Sequence, residues 1–199
     1  MRLAALVLVA LLLSAAAAHA DGDPASDWLY TQKVFIPIDR PPARKQQNEL
    51  QATVAGAWKQ GFRIKVAVIG SAYDLGSVPS LWRKPRTYAR FLGAELTFLY
   101  RQRLLIVMPN GFGFYWKGHK PDAAYATLAR VRIPPGPNGL ASAATAAVVR
   151  LARADGVTIA ATKPPHDSTN RDRLIILAAI LVLIALAVAG RLVLRRRRS

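Results

Sequence analysis

Apolar residues along this chain fall into two long runs at its ends and several short, patterned segments between them. From Gln46 to Gln60, Leu50, Val54, Ala57 and Trp58 recur at helical spacing, and Gly61 follows in the left-handed capping position. Arg63 to Ile69 is a short β-branched run that suits a buried strand, and Gly70 to Gly76 forms the loop after it. Pro85 opens a helix extending to about Tyr100, with Tyr88, Phe91, Leu92, Leu96 and Leu99 on one face. Leu104 to Met108, the Asn110-Gly111 turn and Phe112 to Trp116 read as a β-hairpin.

The remaining segments are shorter. Leu29 to Ile38 reads as a strand limited by Pro37, after a loose Asp21 to Asp27. Asp122 to Arg130 suits a short helix, Pro134 to Pro137 a loop, and Leu140 to Ala154 an alanine-rich helix ended by Asp155-Gly156. Val157 to Ala160 would then close the sheet. The order βαβαββαβ describes an α/β domain, a small mixed sheet with helices packed on it and right-handed crossovers.

The terminal runs set the expected topology. Leu3 to Ala18 after Met1-Arg2, ending in Ala18-His19-Ala20, has the pattern of a secretory signal peptide over residues 1–20, and an uncleaved signal anchor is the alternative. Leu174 to Leu194 is expected to form a transmembrane helix; its uncharged 17 residues to Gly190 reach roughly 25 Å, and Arg191 snorkels to the headgroups. Arg191, Arg195, Arg196, Arg197 and Arg198 outnumber Arg171 and Arg173, so the C-terminus is expected in the cytoplasm. The tail is also expected to touch anionic lipid. Residues 21–162 then form an extracytoplasmic domain, with 163–173 as a polar stalk, in a single-pass protein of the plasma membrane.

Charge and composition narrow the chemistry. The chain carries 28 basic and 11 acidic residues, a net charge of +17, and no cysteine. Without the terminal Arg2, Arg173, Arg191 and Arg195 to Arg198, and without Asp172, residues 21–171, the outer domain with its stalk, keep 21 basic and 10 acidic residues, a net charge of +11. The absence of cysteine excludes disulfides and thiolate chemistry. A basic surface attracts anionic lipid or wall polymer, but the charges are scattered, and no nucleic acid is expected as a partner.

Candidate catalytic groups are few. After the signal only His119 and His166 remain, no G-x-S-x-G elbow, phosphate loop or dinucleotide fingerprint occurs, and neither a metal nor a cofactor is expected. Asp74 stands in the loop after the first central strand, where open α/β sheets bind ligands; the same position also suits a loop cap. Phe112 to Trp116 beside Lys117 and Lys120 mixes aromatics with charge, as ligand platforms do. Its alternation equally turns Phe112, Phe114 and Trp116 toward a core.

Residues 61–98 and 103–115, GFRIKVAVIGSAYDLGSVPSLWRKPRTYARFLGAELTF and RLLIVMPNGFGFY, resemble the TPM-type domain of thylakoid-lumen and bacterial membrane proteins, in a form associated with high-GC Gram-positive bacteria. The matching features are a strand, a loop with Asp74-Leu75-Gly76, a helix opened by Lys84-Pro85 with Tyr88-Ala89, and a strand ending at Asn110-Gly111. The resemblance implies an extracytoplasmic role in assembly or repair of membrane complexes or in receptor modulation, with weak phosphatase activity reported for such domains. Their acidic calcium- or phosphate-binding loops are represented here by Asp74 alone.

Three functions are therefore weighed. The first is a non-catalytic binding or assembly module for another membrane or envelope protein, with Tyr73, Asp74, Gly76, Lys84, Arg86, Asn110, Gly111 and Gly113 in the partner-facing loops. The second is a weak phosphatase with Asp74 as the catalytic group and Lys84 and Arg86 as phosphate clamps. The third is a basic domain that binds anionic wall polymer or lipid through its net charge.

Overall fold

The computed structural model describes residues 22–159, and the central strands in them are built as their β-branched sequences require. The elements are α1 (Pro24–Thr31), β1 (Val34–Phe35), α2 (Arg44–Lys59), β2 (Ile64–Val68), α3 (Pro85–Glu95), β3 (Arg103–Met108), β4 (Gly111–Tyr115), α4 (Asp122–Leu128) and α5 (Gly136–Ala154). Single 3₁₀ turns occupy Ala72–Leu75, Pro79–Leu81 and Leu96–Phe98. The sheet order is β1-β2-β3-β4, parallel except for the antiparallel β3–β4 hairpin. This is a small mixed sheet in an α/β domain.

Alternation along β2 and β3 splits the core into two layers. Ile64, Val66, Val68, Leu105 and Val107 face α2 and α5, meeting Leu50, Val54, Ala147 and Val148. Ala67, Ile69, Leu104, Ile106 and Met108 face α1 and α3, meeting Leu29, Tyr88, Leu92 and Leu96. Both faces of the parallel strands are covered, which is why those strands read as continuous apolar runs.

The two crossovers, through α2 and through α3, step in the same direction along the sheet but lie on opposite faces. They are therefore of opposite hand, and the expectation of right-handed crossovers fails for one of them. β1 pairs over only two residues, too short a ladder to impose the twist from which the usual hand arises.

Three expected elements differ. Asp21 to Asp27 is not loose throughout, nor is Leu29 to Ile38 one strand: Asp23 caps α1 by accepting the Ala25 N–H at 3.1 Å, and Pro24 supplies the first helical residue. Val157 to Ile159 forms no strand; the Val157 N–H turns back to the Ala152 carbonyl at 2.8 Å, so its backbone is spent on the end of α5. The helix from Pro85 stops at Glu95, and Leu99, expected on its buried face, is 69% exposed.

The expected signal peptide, stalk and transmembrane helix at 174–194, with the basic residues Arg191 and Arg195 to Arg198, lie outside the described residues. Among the described residues no helix is long and apolar enough to cross a membrane.

Candidate functional site

The parallel strands all end at one edge, and the loops there are tied to one another. Asp74, fully buried, accepts the N–H of Gly70 at 2.7 Å and of Ser71 at 3.0 Å on one oxygen, and the N–H of Ile38 at 2.8 Å on the other. One carboxylate thus joins the turn after β2 to the segment after β1. Beside it Tyr73 is 67% exposed, and Ile38 itself is 51% exposed. The Asn110 side chain donates to the Arg83 carbonyl at 2.6 Å, joining the hairpin turn to the loop before α3. Arg83 adopts φ +59°, a left-handed conformation uncommon outside glycine and one that the Asn110 contact holds in place.

This geometry assigns chemistry to the expected residues. A carboxylate sealed from solvent, with both oxygens occupied by backbone donors, has no face from which to attack a phosphate, so Asp74 acts as the loop cap. Lys84 and Arg86 are exposed, and the buried carboxylate is bonded to the backbone of Gly70, Ser71 and Ile38 instead. Gly76, with φ +49°, is held against Gly22, whose carbonyl would lie 2.4 Å from an added Cβ. Gly113 is a packing residue, because a Cβ there would lie 1.9 Å from the Pro85 carbonyl oxygen at the start of α3.

Arg86, Asn110 and Gly111 do come together, in a cleft of about 400 Å³ with Tyr125, Leu128 and Ile133. Adjoining it, a cleft of about 580 Å³ lies between α3, β4 and α4. Arg86 and Arg90 on α3, Tyr115, Trp116, His119 and Lys120 at the end of β4, and Asp122 and Tyr125 on α4 are among its walls. Arg86 is shared by both clefts, its guanidinium 4.3 Å from the Tyr125 ring centre.

Tyr125 also fixes the outer edge of β4. Its hydroxyl receives the Phe114 N–H at 3.1 Å and lies 3.3 Å from the Phe114 carbonyl, to which it donates. An edge strand's unpaired backbone is thereby covered by a side chain. Trp116 is enclosed too: the Arg103 guanidinium lies 3.8 Å from its ring centre, and His119 stacks on it at 3.5 Å. Phe112, Phe114 and Trp116 pack on the α2–α5 core, which decides that tract as core face. The basic residues around it, not bare aromatic faces, form the cleft's polar wall.

No protein-family model and no curated protein matches the sequence. The N-terminal domain of the cg2496 protein from Corynebacterium glutamicum, solved by NMR, is similar at 15% identity, over 68% of this chain and 85% of that one, with a TM-score of 0.41.

His119, Arg90 and Tyr125 were not among the residues expected at a site. The mixture of lysine and aromatic side chains at 112–120 was the available signal for His119; Arg90 joins it only because the hairpin returns β4 alongside α3.

Proposed function

We propose that this chain is a membrane-anchored, extracytoplasmic binding or assembly module of the TPM type, which docks an envelope protein through the loop edge at the ends of β1, β2 and β3. The observation that carries it is the pair of exposed apolar side chains, Tyr73 and Ile38, mounted on either side of the buried Asp74 carboxylate. Asp74 holds the backbone of both segments, so an exposed aromatic and an exposed aliphatic are presented with their main chain already ordered. Docking then loses little conformational entropy, and tyrosine supplies large contact area with few rotatable bonds. The resemblance of residues 61–98 and 103–115 to TPM-type domains supports the extracytoplasmic setting, as do the signal-like residues 1–20 and the apolar residues 174–194.

The test places a photo-activatable residue at position 73, 38 or 150 of the full chain in intact cells. Discrete adducts from 73 and 38, absent from 150 on the surface of α5, are expected. Equal adducts from all three positions would remove the loop edge as the docking face. Phosphate release from an aryl phosphate that Asp74→Asn abolishes, in a variant that remains folded, would replace the binding reading with the enzymatic one.

A further inference from the structure

The cleft between α3, β4 and α4 lies apart from the Tyr73–Ile38 edge, and its cations are uncompensated. Arg86 and Arg90 are one helical turn apart on α3, so their side chains leave the same face. Lys120 approaches from the turn between β4 and α4. Among the described residues none of the three has a carboxylate within ion-pair distance, whereas Arg40 and Arg103 do. Asp122 is the one acidic residue in the wall, leaving an excess of two positive charges among these four side chains.

Like charges gathered without acidic partners repel one another, and that repulsion opposes folding. It is suited to a ligand that supplies the missing negative charge. We propose that this cleft binds a phosphate ester, with the phosphoryl oxygens held by Arg86, Arg90 and Lys120 and the alcohol portion resting on Tyr115, Pro121 and Tyr125. Donor number favours phosphoryl over carboxylate. A carboxylate is satisfied by one guanidinium fork, while a phosphoryl group offers three oxygens to donors arriving from two directions.

The neighbouring contacts order the wall in advance. Arg86 is held over the Tyr125 ring, and Tyr125 is anchored by its hydroxyl to the Phe114 backbone. The turn that carries Lys120 is fixed by the His119–Trp116 stack and by the His119 N–H donated to the Trp116 carbonyl at 3.0 Å. The site holds its ligand and does not hydrolyse it: its lining supplies cations, Asp122 and His119 but no serine, threonine or cysteine nucleophile. It is independent of the docking edge, so either reading can fail alone.

The experiment uses the full chain in maltoside micelles, which contain no phosphate, with calorimetric titration of glycerol 3-phosphate and of acetate. Saturable binding of glycerol 3-phosphate, clearly tighter than acetate, is expected. Arg86→Gln/Arg90→Gln should weaken it about tenfold or more, since each charge-assisted hydrogen bond carries that order of affinity. Lys120→Gln, on a separate element, tests the site if the double variant unfolds, as judged by circular dichroism, and should also weaken binding. Arg150→Gln on α5 removes one exposed charge that does not line the cleft and should leave affinity unchanged. Absence of saturable binding, equal affinity for acetate, or equal loss in Arg150→Gln would overturn the proposal. Phosphatidylglycerol added to the micelles separates the two sources of this chemistry. Competition with glycerol 3-phosphate identifies a lipid headgroup, and unchanged affinity identifies a soluble ester.

Discussion

The Tyr88 hydroxyl sits between the two carboxylate oxygens of Asp23, 2.8 Å from one and 2.7 Å from the other. Asp23 is 4% exposed and also caps α1, so one acidic group fastens the first helix of the domain to α3. Burial is the main force on it and raises its pKa from 3.8 to about 6, against the opposing hydrogen bonds of Tyr88 and Ala25. Glu95 and Asp27 push in the same direction as burial. The same burial, followed by the Asp23 charge, pushes the Tyr88 hydroxyl well above its ordinary range.

This pair predicts a pH dependence with a definite sign. The folded state holds the Asp23 proton more tightly than the unfolded chain, so this group's contribution to stability falls as pH rises from about 4 to about 6 and is level above that. Two pKa units correspond to roughly 3 kcal/mol. Asp23→Asn keeps an oxygen for Tyr88 and for the cap but cannot ionise. Denaturation of both proteins from pH 4 to 7.5 should show the variant gaining on the wild type by about 2–3 kcal/mol as pH increases. A difference that stays constant with pH would mean that Asp23 ionises in the folded protein as freely as in the unfolded chain.

Much of this framework was legible in the sequence, because periodicity reports local burial. α2, β2, β3, the hairpin and α5 lie within a few residues of where their apolar patterns put them. α1 has only short signals in the sequence: Asp23 before Pro24 is a cap followed by a favoured first helical residue, but the apolar stretch beyond Leu29 reads more strongly as a strand. The Val157 segment departs for the opposite reason: a β-branched run forms a strand only where a sheet edge receives it, and here the Val157 N–H is bonded to the end of α5. Asp74 was legible as a cap. The cleft was not, because Arg86 and Lys120 are brought to it by the pairing of β4 with β3, a long-range relationship that no local pattern encodes.

Asp74→Asn should act on stability. An amide retains one acceptor oxygen and turns an NH₂ group toward backbone donors, either those of Gly70 and Ser71 or that of Ile38. A buried donor left without an acceptor costs about 1–3 kcal/mol, so the variant should melt several degrees lower. Amide exchange at Ile38 and Gly70 should quicken beyond that of β2. An unchanged melting temperature would show that the three hydrogen bonds are replaceable by solvent.

Lys65 makes a similar prediction for α1. It is 6% exposed, and its ammonium donates to the Leu29 carbonyl and lies 3.4 Å from that of Tyr30, two last-turn carbonyls of α1. Burial, and then the Lys33 charge, lowers its pKa. The folded state therefore releases this proton at a lower pH than the unfolded chain, and the residue's contribution to stability rises through that interval toward 10.5. Lys65→Met keeps the apolar stem and removes the donor. Its deficit relative to wild type, measured by urea denaturation, should be larger at pH 10 than at pH 7; a deficit that shrinks would reverse the assigned direction.

Two glycines at the contact between α3 and β4 separate a rigid obstacle from a movable one. A Cβ on Gly113 would meet the Pro85 carbonyl oxygen at 1.9 Å and its carbon at 2.5 Å, both backbone atoms of the first residue of α3. A Cβ on Gly93 would meet the Tyr115 ring at 2.2 Å, and Tyr115 is a half-buried side chain that can turn away. Gly113→Ala must displace the start of α3 from the sheet, at about 3 kcal/mol. Gly93→Ala regains up to about 1 kcal/mol of helix propensity while moving the Tyr115 ring. Gly113→Ala should therefore be the more destabilising by at least about 1 kcal/mol in urea denaturation. Because α3 carries Arg86 and Arg90, Gly113→Ala should also weaken glycerol 3-phosphate binding. Equal destabilisation by the two substitutions would mean that the start of α3 yields as readily as a single ring, and that the mount for those two arginines is soft.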